Sequence, residues 1–184
     1  MKLAVVTIAL WLLVGATYGQ EYKLAENSNT INWRGYSEVG DFAQEGTIDI
    51  KSSSIVLDVN GRISGEIVIN MKSIYHEDKR LNSHLKKEDF FDVKKFPTAT
   101  FKFAQNDSGA VSGELLMKGA TGTLTFTPTI KTEQELISVD GDLEIDRTKY
   151  GIKYNSSSYF QDLGNYAIKN NFDISFQLKY TIAN

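Results

Sequence analysis

The sequence contains no cysteine, and it has only two histidines and two prolines among its 184 residues. The lack of cysteine excludes disulfide bonds, thiolate metal ligands, a thiol nucleophile and a lipid-modified N-terminal cysteine. A zinc site needs about three or four ligands, usually with one closely spaced pair. His76 and His84 lie on either side of a predicted helix start and do not supply such a set. We therefore expect no metal site.

The common catalytic motifs are also missing. The chain has no Gly-x-Ser-x-Gly segment and no glycine-rich phosphate loop before a predicted helix. Carboxylate pairs such as Asp140 and Asp142 lie on the polar face of a predicted strand, where solvation is the ordinary explanation. The formal net charge of −3 does not favour a nucleic-acid partner. We expect a protein that is not an enzyme, with no catalytic residues, no cofactor and no nucleic-acid partner.

The one long apolar run, residues 3–14, follows Lys2 and precedes small residues that end at Gly19. The run is too short to cross about 30 Å of hydrocarbon as a helix, and its flanks are typical of a secretory signal peptide. An uncleaved membrane anchor is the alternative. Removing residues 1–19 takes away Lys2 and changes the formal net charge from −3 to −4. We expect residues 20–184 to form a single bacterial domain, periplasmic or secreted, without stable membrane insertion, as a monomer or homodimer.

Alternation of apolar and polar residues dominates the rest of the chain. Ile137, Val139, Leu143 and Ile145 share one face of a run whose other face is polar, and about nine such runs occur. Asn60-Gly61 between two runs indicates a hairpin. Because an open sheet of this size would leave long edges, closure is favoured. The prediction is an all-β fold, an antiparallel barrel of about eight strands, with a two-sheet sandwich as the alternative.

Two segments do not fit the strand pattern. Residues 79–87 are predicted to form one short helix, which begins near Asp78 and places Leu81 and Leu85 on one face. Residues 146–171 are polar, rich in aromatic residues and long for a loop, and loops of that length are usually functional or disordered. The lone helix is expected to cover one end of the barrel.

The apolar strand faces carry many large side chains, and these are the candidate lining of the barrel interior. An eight-stranded barrel can either be filled by side chains or hold one slim ligand. The residues alone favour a filled core, and the cavity stays open as the alternative. The candidates are Phe101, Phe103, Leu115, Met117, Leu124, Phe126, Ile145, Phe172 and Phe176.

Two further groups are candidates for contacts at the barrel end. Phe90 and Phe91 form either the wall of a cavity or a small cluster that covers the barrel. Arg147 and Tyr150, with Lys149 nearby, could hold an anionic head group, because a guanidinium matches phosphate oxygens. An ion pair between Arg147 and a neighbouring carboxylate such as Asp146 is the favoured alternative.

Several motifs together resemble the YceI-like family, which is often described as polyisoprenoid-binding. The central one is NSHLKKEDFFDVKKFPTATFKF at residues 82–103, with its helical HLK, its DFFDV and its Phe-Pro pair before a strand. The likeness runs in order over about residues 22–181. The other matching segments are INMKSIYHED at 69–78, GELLMKGATG at 113–122, IDRTKYGIKY at 145–154 and DLGNYAIKNNFDISFQL at 162–178.

The resemblance implies a lipocalin-like antiparallel barrel that is exported and binds a long apolar lipid, of the polyprenyl or isoprenoid quinone type. It therefore favours a cavity over a filled core. The alternative is a lipid-free structural or stress-response barrel that acts through a protein partner. Many relatives carry a histidine just before the glycine of the second strand, where this chain has Gln44-Glu45-Gly46. Gln44 neither titrates nor binds metal as imidazole does, which puts any role of that histidine in doubt here.

Overall fold

The computed structural model of the protein describes residues 19–183, in which ten antiparallel strands form one sheet. The helix α1 spans Lys79–Leu85, and two short 3-10 helices span Arg147–Tyr150 and Gly164–Tyr166. The strands are β1 Gln20–Leu24, β2 Thr30–Ser37, β3 Ala43–Leu57, β4 Ile63–Tyr75, β5 Thr98–Gln105, β6 Val111–Met117, β7 Ala120–Phe126, β8 Thr129–Glu133, β9 Leu136–Asp146 and β10 Ile168–Ile182.

The sheet follows the order β7-β6-β5-β4-β3-β1-β10-β9-β8. The two longest strands, β3 and β10, both pair with β1 and also both pair with β2. β1 therefore lies between one part of β3 and β10, and β2 lies between another part of the same two strands. Residues 127–128 connect β7 at one edge directly to β8 at the other, which brings the two edges together. The sheet therefore has the character of a barrel, and the predicted all-β antiparallel fold is confirmed.

The alternating pattern places one face of each strand in the interior. On β5, Ala99 and Phe101 are buried while Lys102 is exposed, and β9 buries Ile137, Val139 and Ile145. Alternation arises because successive side chains of a strand point to opposite faces. The apolar positions read from the sequence therefore form the core.

Proline and glycine interrupt the strands where the sequence indicates. Gly61 has a φ of +76° in the turn between β3 and β4, a conformation that glycine adopts without a steric penalty. Pro128 lies between β7 and β8, because proline lacks the N–H needed to continue a ladder. The strands thus end at the turn residues and at the proline.

The helix begins where the sequence predicts. The carboxylate of Asp78 accepts hydrogen bonds from the backbone N–H groups of Arg80 at 2.7 Å and Leu81 at 3.0 Å, and these bonds lower the pKa of Asp78. The helix ends at Leu85, two residues earlier than the predicted span, because Lys86 serves as its C-cap. It lies at the end of the barrel where β4 ends and β5 begins, as expected of a segment that covers one end.

The expected signal peptide falls on residues 1–18, which lie outside the described residues, and on Gly19. Among residues 19–183, no helix has the length and apolar character needed to cross a membrane. Export and the domain boundary at residue 20 remain predictions.

Candidate functional site

The barrel encloses a cavity of about 340 Å³, within the range of roughly 300–1,000 Å³ typical of small-molecule sites. Its lining is almost entirely apolar and comes from the strands, from α1 and from the segment that follows it. Ten of the predicted lining residues line this cavity: Phe90, Phe91, Phe101, Leu115, Met117, Leu124, Phe126, Ile145, Phe172 and Phe176. Whether they contact a ligand there stays a prediction.

Phe103, which was also expected in the cavity, lies beyond its inner end. It borders a separate space of about 20 Å³, together with Ile63, Val111 and Tyr180. Its ring stacks on that of Phe101, with centroids 5.4 Å apart. The expected position of Phe103 in the cavity was therefore wrong. Phe103 is the next inward-facing residue after Phe101 on β5, and the barrel is hollow at the level of Phe101 and filled at the level of Phe103.

The mouth of the cavity lies next to two connecting segments at the end of the barrel that also holds α1. The tip of the β2–β3 hairpin is joined to the second 3-10 segment by a hydrogen bond from the backbone N–H of Glu38 to the carbonyl of Ala167, 2.9 Å long. Phe42 and Tyr166 line the cavity at this point and are 64% and 79% exposed. The cavity therefore reaches the surface beside these two aromatic side chains.

Sequence reasoning did not single out several residues of the lining. Trp33 lines the cavity next to Ile31 on β2, and Phe42 and Tyr166 line its mouth. The alternation of Ile31 and Trp33 in a short strand-like run was the available signal. Nothing in the pattern distinguished Phe42 or Tyr166, because both belong to connecting segments.

Arg147 borders the cavity, but its guanidinium is already engaged. Its Nη1 donates to the carbonyl of Ile152 at 2.9 Å, its Nη2 to Ile168 at 2.9 Å and its Nε to Lys169 at 3.1 Å. The residue is buried, and this burial lowers the pKa of Arg147. The expected ion pair with Asp146 is not formed among the described residues. Arg147 therefore joins the 3-10 turn after β9 to the start of β10.

Tyr150 lies outside the large cavity, contrary to the expected head-group site. It is buried against β7, where its hydroxyl oxygen would lie 2.7 Å from a Cβ atom placed on Gly122. Burial raises the pKa of Tyr150. Because Gly122 has no side chain, the tyrosine ring fills the space next to the edge strand, which explains its position by packing.

The two histidines take structural positions. The ring of His84 contacts those of Tyr154 and Phe90 edge-on, with centroids 4.5 and 5.3 Å away, and its Nε2 lies 2.6 Å from a carboxylate oxygen of Asp89. His76 is buried, and its Nδ1 accepts the backbone N–H of Asp78 at 2.9 Å. In residues 19–183 no group of three or more histidine or carboxylate side chains is placed to hold a metal ion.

Comparison with known proteins gives a consistent result. The family model of the YceI-like domain matches residues 22–180. A UPF0312 protein of Pseudomonas putida strain GB-1 is 27% identical over 131 residues, which cover 66% of this chain and 68% of the relative.

Two solved structures share the fold. A polyisoprenoid binding domain from Saccharophagus degradans, implicated in plant cell wall breakdown, superposes with a TM-score of 0.67 at 15% identity, over 88% of this chain and 98% of that domain. BcnA of Burkholderia cenocepacia superposes with a TM-score of 0.62 at 23% identity, over 81% of this chain and 95% of BcnA. At these identities the likeness concerns the fold.

Proposed function

The chain belongs to the YceI-like domain family, and from that premise we propose that it is a non-catalytic binding protein for a long apolar lipid. The proposed ligand class is the isoprenoids, of the polyprenyl or isoprenoid quinone type, with the chain held inside the barrel. The observation that carries the proposal is the cavity of about 340 Å³ with its almost wholly apolar lining and its aromatic mouth.

The chemistry of the lining determines what can bind. Apolar area removed from water contributes roughly 25 cal/mol per Å² before the costs of association are subtracted. A long hydrocarbon chain can gain this contribution along the whole cavity. A short polar metabolite would lose hydrogen bonds to water and find few partners in exchange. The lining therefore favours a lipid tail over a soluble metabolite.

The comparisons support the same class of ligand. The Saccharophagus degradans domain with this fold is described as polyisoprenoid binding. The central motif at residues 82–103 contributes Phe90, Phe91 and Phe101 to the cavity lining. The residues by which the chain resembles the family are thus among those that form the proposed site.

We further propose that the protein works in the periplasm or outside the cell, as a monomer or homodimer. The proposal of export rests on the apolar run at residues 3–14 and the small residues before Gln20. Mass measurement of the protein from the non-cytoplasmic fraction tests it, with a chain that begins at Gln20 as the expected result. A full-length chain in the cytoplasmic fraction would contradict it.

The test of function is a native mass spectrum of the protein purified from its own host. The matched variant is Gly35→Phe, because Gly35 lines the cavity and a Cβ atom placed on it meets nothing within 4 Å. The new side chain therefore begins in open space at the cavity wall, and its ring takes up part of the cavity. Gly35→Ala is the control, since it removes the glycine and leaves most of the space free.

We expect wild-type protein and Gly35→Ala to carry an additional mass that matches an isoprenoid lipid, and Gly35→Phe to lack it while it still unfolds cooperatively. Wild-type protein without any lipid would contradict the proposal. That result would favour the lipid-free barrel that acts through a protein partner.

A further inference from the structure

Exposed apolar side chains gather at the mouth of the cavity. Nine large apolar residues between residues 19 and 183 are exposed, and five of them, 48% to 79% exposed, lie on the β2–β3 and β9–β10 connections. We call these five residues the rim: Val39, Phe42, Tyr159, Phe160 and Tyr166. Exposed apolar residues that occur singly need no explanation, whereas a group of them marks a surface that contacts a membrane, a ligand or another protein.

Hydrogen bonds hold the two connections together. The hydroxyl of Ser157 donates to a carboxylate oxygen of Glu38 at 2.7 Å, in addition to the bond from the Glu38 N–H to the carbonyl of Ala167. The backbone N–H of Phe160 donates to the carbonyl of Ser156 at 3.0 Å, and Ser156 is itself fully buried. The segments that carry the rim are therefore held next to each other.

The rim is continuous with the cavity. Phe42 and Tyr166 are exposed and also line the cavity, whereas the four exposed apolar residues outside the rim do not line it. One of those four, Val59, lies in the turn that leads to Ile63 at the filled end of the barrel. Exposed apolar surface thus meets the apolar interior at the rim.

We propose that the rim docks reversibly on the surface of a phospholipid bilayer, so that the mouth of the cavity opens onto the membrane. The inference rests on the proposed function and deepens it, because it names the surface from which the lipid is taken. Transfer of a long apolar lipid from a bilayer into water has a large free-energy cost. A mouth that lies against the bilayer lets the lipid pass between two apolar surroundings without crossing water.

The charges near the rim fit a zwitterionic lipid surface. Residues 37–42 and 153–169 together carry three acidic and two basic side chains, Glu38, Asp41, Asp162, Lys153 and Lys169. Strong attraction to anionic lipid uses clusters of about four to eight basic residues, which these segments do not have. Nζ of Lys153 lies 4.5 Å from the ring centroid of Tyr159, and such a pair can place the ring at the interface and the ammonium near a lipid phosphate.

The first test is cosedimentation of the protein with phosphatidylcholine vesicles at low and high salt. The rim variant combines Val39→Ser with Phe160→Ser, because these two residues do not line the cavity, and Val59→Ser is the control. We expect the rim variant to bind vesicles about tenfold more weakly, the control to match wild type, and salt to have little effect. Unchanged binding of the rim variant, or an equal loss in Val59→Ser, would overturn the inference.

A second measurement shows which end of the barrel meets the bilayer. The chain has two tryptophans, Trp11 and Trp33, so a Trp11→Phe chain can carry a new tryptophan either at the rim, as Phe160→Trp, or at the filled end, as Val59→Trp. Vesicles with brominated acyl chains quench a tryptophan that enters the bilayer. We expect additional quenching for Phe160→Trp and none for Val59→Trp. No difference between the two would overturn the inference.

Uptake of a labelled isoprenoid quinone from phosphatidylcholine vesicles separates docking from the cavity. The equilibrium partition should be the same for wild type and the rim variant, because the lining is unchanged, while transfer to the variant should be about tenfold slower. Equal rates would overturn the inference. Wild-type protein that takes up quinone without binding vesicles would also overturn it and leave the proposed function standing, whereas wild-type protein that takes up no quinone would contradict the proposed function itself.

Discussion

The ring of Phe101 stacks on the ring of Phe103, with centroids 5.4 Å apart and an angle of 17° between the planes. The two residues occupy successive inward positions on β5, yet Phe101 lines the large cavity and Phe103 borders only the small space beyond it. This pair marks the floor of the cavity. The barrel is therefore hollow toward α1 and filled toward the opposite end.

Phe103→Ala should reduce the free energy of unfolding by about 3 kcal/mol, because it removes a ring from the filled end of the barrel. Lipid binding should remain close to wild type, since Phe103 does not line the large cavity. Denaturant unfolding measures the first effect and vesicle partition the second. A variant with unchanged stability would show that Phe103 borders open space.

Arg147→Met should destabilise the protein by about 3 kcal/mol, because the carbonyls of Ile152, Ile168 and Lys169 lose their donors. Lys149→Met is the control, since Lys149 is exposed and should change stability by less than about 0.5 kcal/mol. Unfolding in urea measures both. Unchanged stability together with a selective loss of a pyrophosphate-bearing polyprenyl lipid would instead assign Arg147 to the head group.

Leu85→Asp should destabilise the barrel end by about 3 kcal/mol or more, because Leu85 is buried at the cavity and a carboxylate there has no partner. Lys87→Asp provides the comparison, since this residue is exposed just beyond α1. The midpoint of thermal unfolding distinguishes the two. Equal midpoints for both variants would contradict the packing of α1 onto the barrel.

Tyr180 should make stability depend on pH in alkaline solution. Burial raises the pKa of Tyr180 to about 12, although a hydrogen bond with the Ser53 hydroxyl, 2.9 Å away, opposes the shift. Above pH 10 the unfolded chain releases this proton while the folded chain retains it, so stability falls as the pH rises from 10 to 12. The loss from this residue should approach about 3 kcal/mol.

The matched variants for this titration are Tyr180→Phe and Tyr166→Phe. Tyr180→Phe should flatten the dependence of unfolding free energy on pH in this range, and Tyr166→Phe, at an exposed position, is the control. An identical pH dependence in wild type and Tyr180→Phe would show that the Tyr180 phenol ionises as readily in the folded chain as in the unfolded chain.

Much of the fold could be predicted because it depends on local signals. The alternation around Ile137 and Ile145 determines which face of β9 points into the barrel. Asp78 caps α1 by accepting a hydrogen bond from the backbone N–H of Leu81, three residues further along the chain. Such signals lie within a few residues of each other. How far along the barrel a side chain lies depends on how the strands pair with one another. Alternation with a period of two gives Phe101 and Phe103 the same inward orientation, so it could not predict that only Phe101 lines the large cavity.

The site was less predictable because its polar contacts join distant parts of the chain. Arg147 bonds to carbonyls on both sides of a long connecting segment, which sequence spacing does not indicate. Tyr150 was expected beside Arg147 but occupies space left free by Gly122 on β7.

The most direct test of the central claim, that an apolar chain occupies the cavity, is a fluorescence titration of Trp33 with an isoprenoid quinone in the Trp11→Phe chain. Trp33 lines the cavity, so a quinone bound there should quench its emission to saturation at one ligand per chain. Addition of Gly35→Phe to the same chain should abolish the saturable quenching while the protein stays folded. Absence of saturable quenching in the parent chain, or its persistence in Gly35→Phe, would contradict the account.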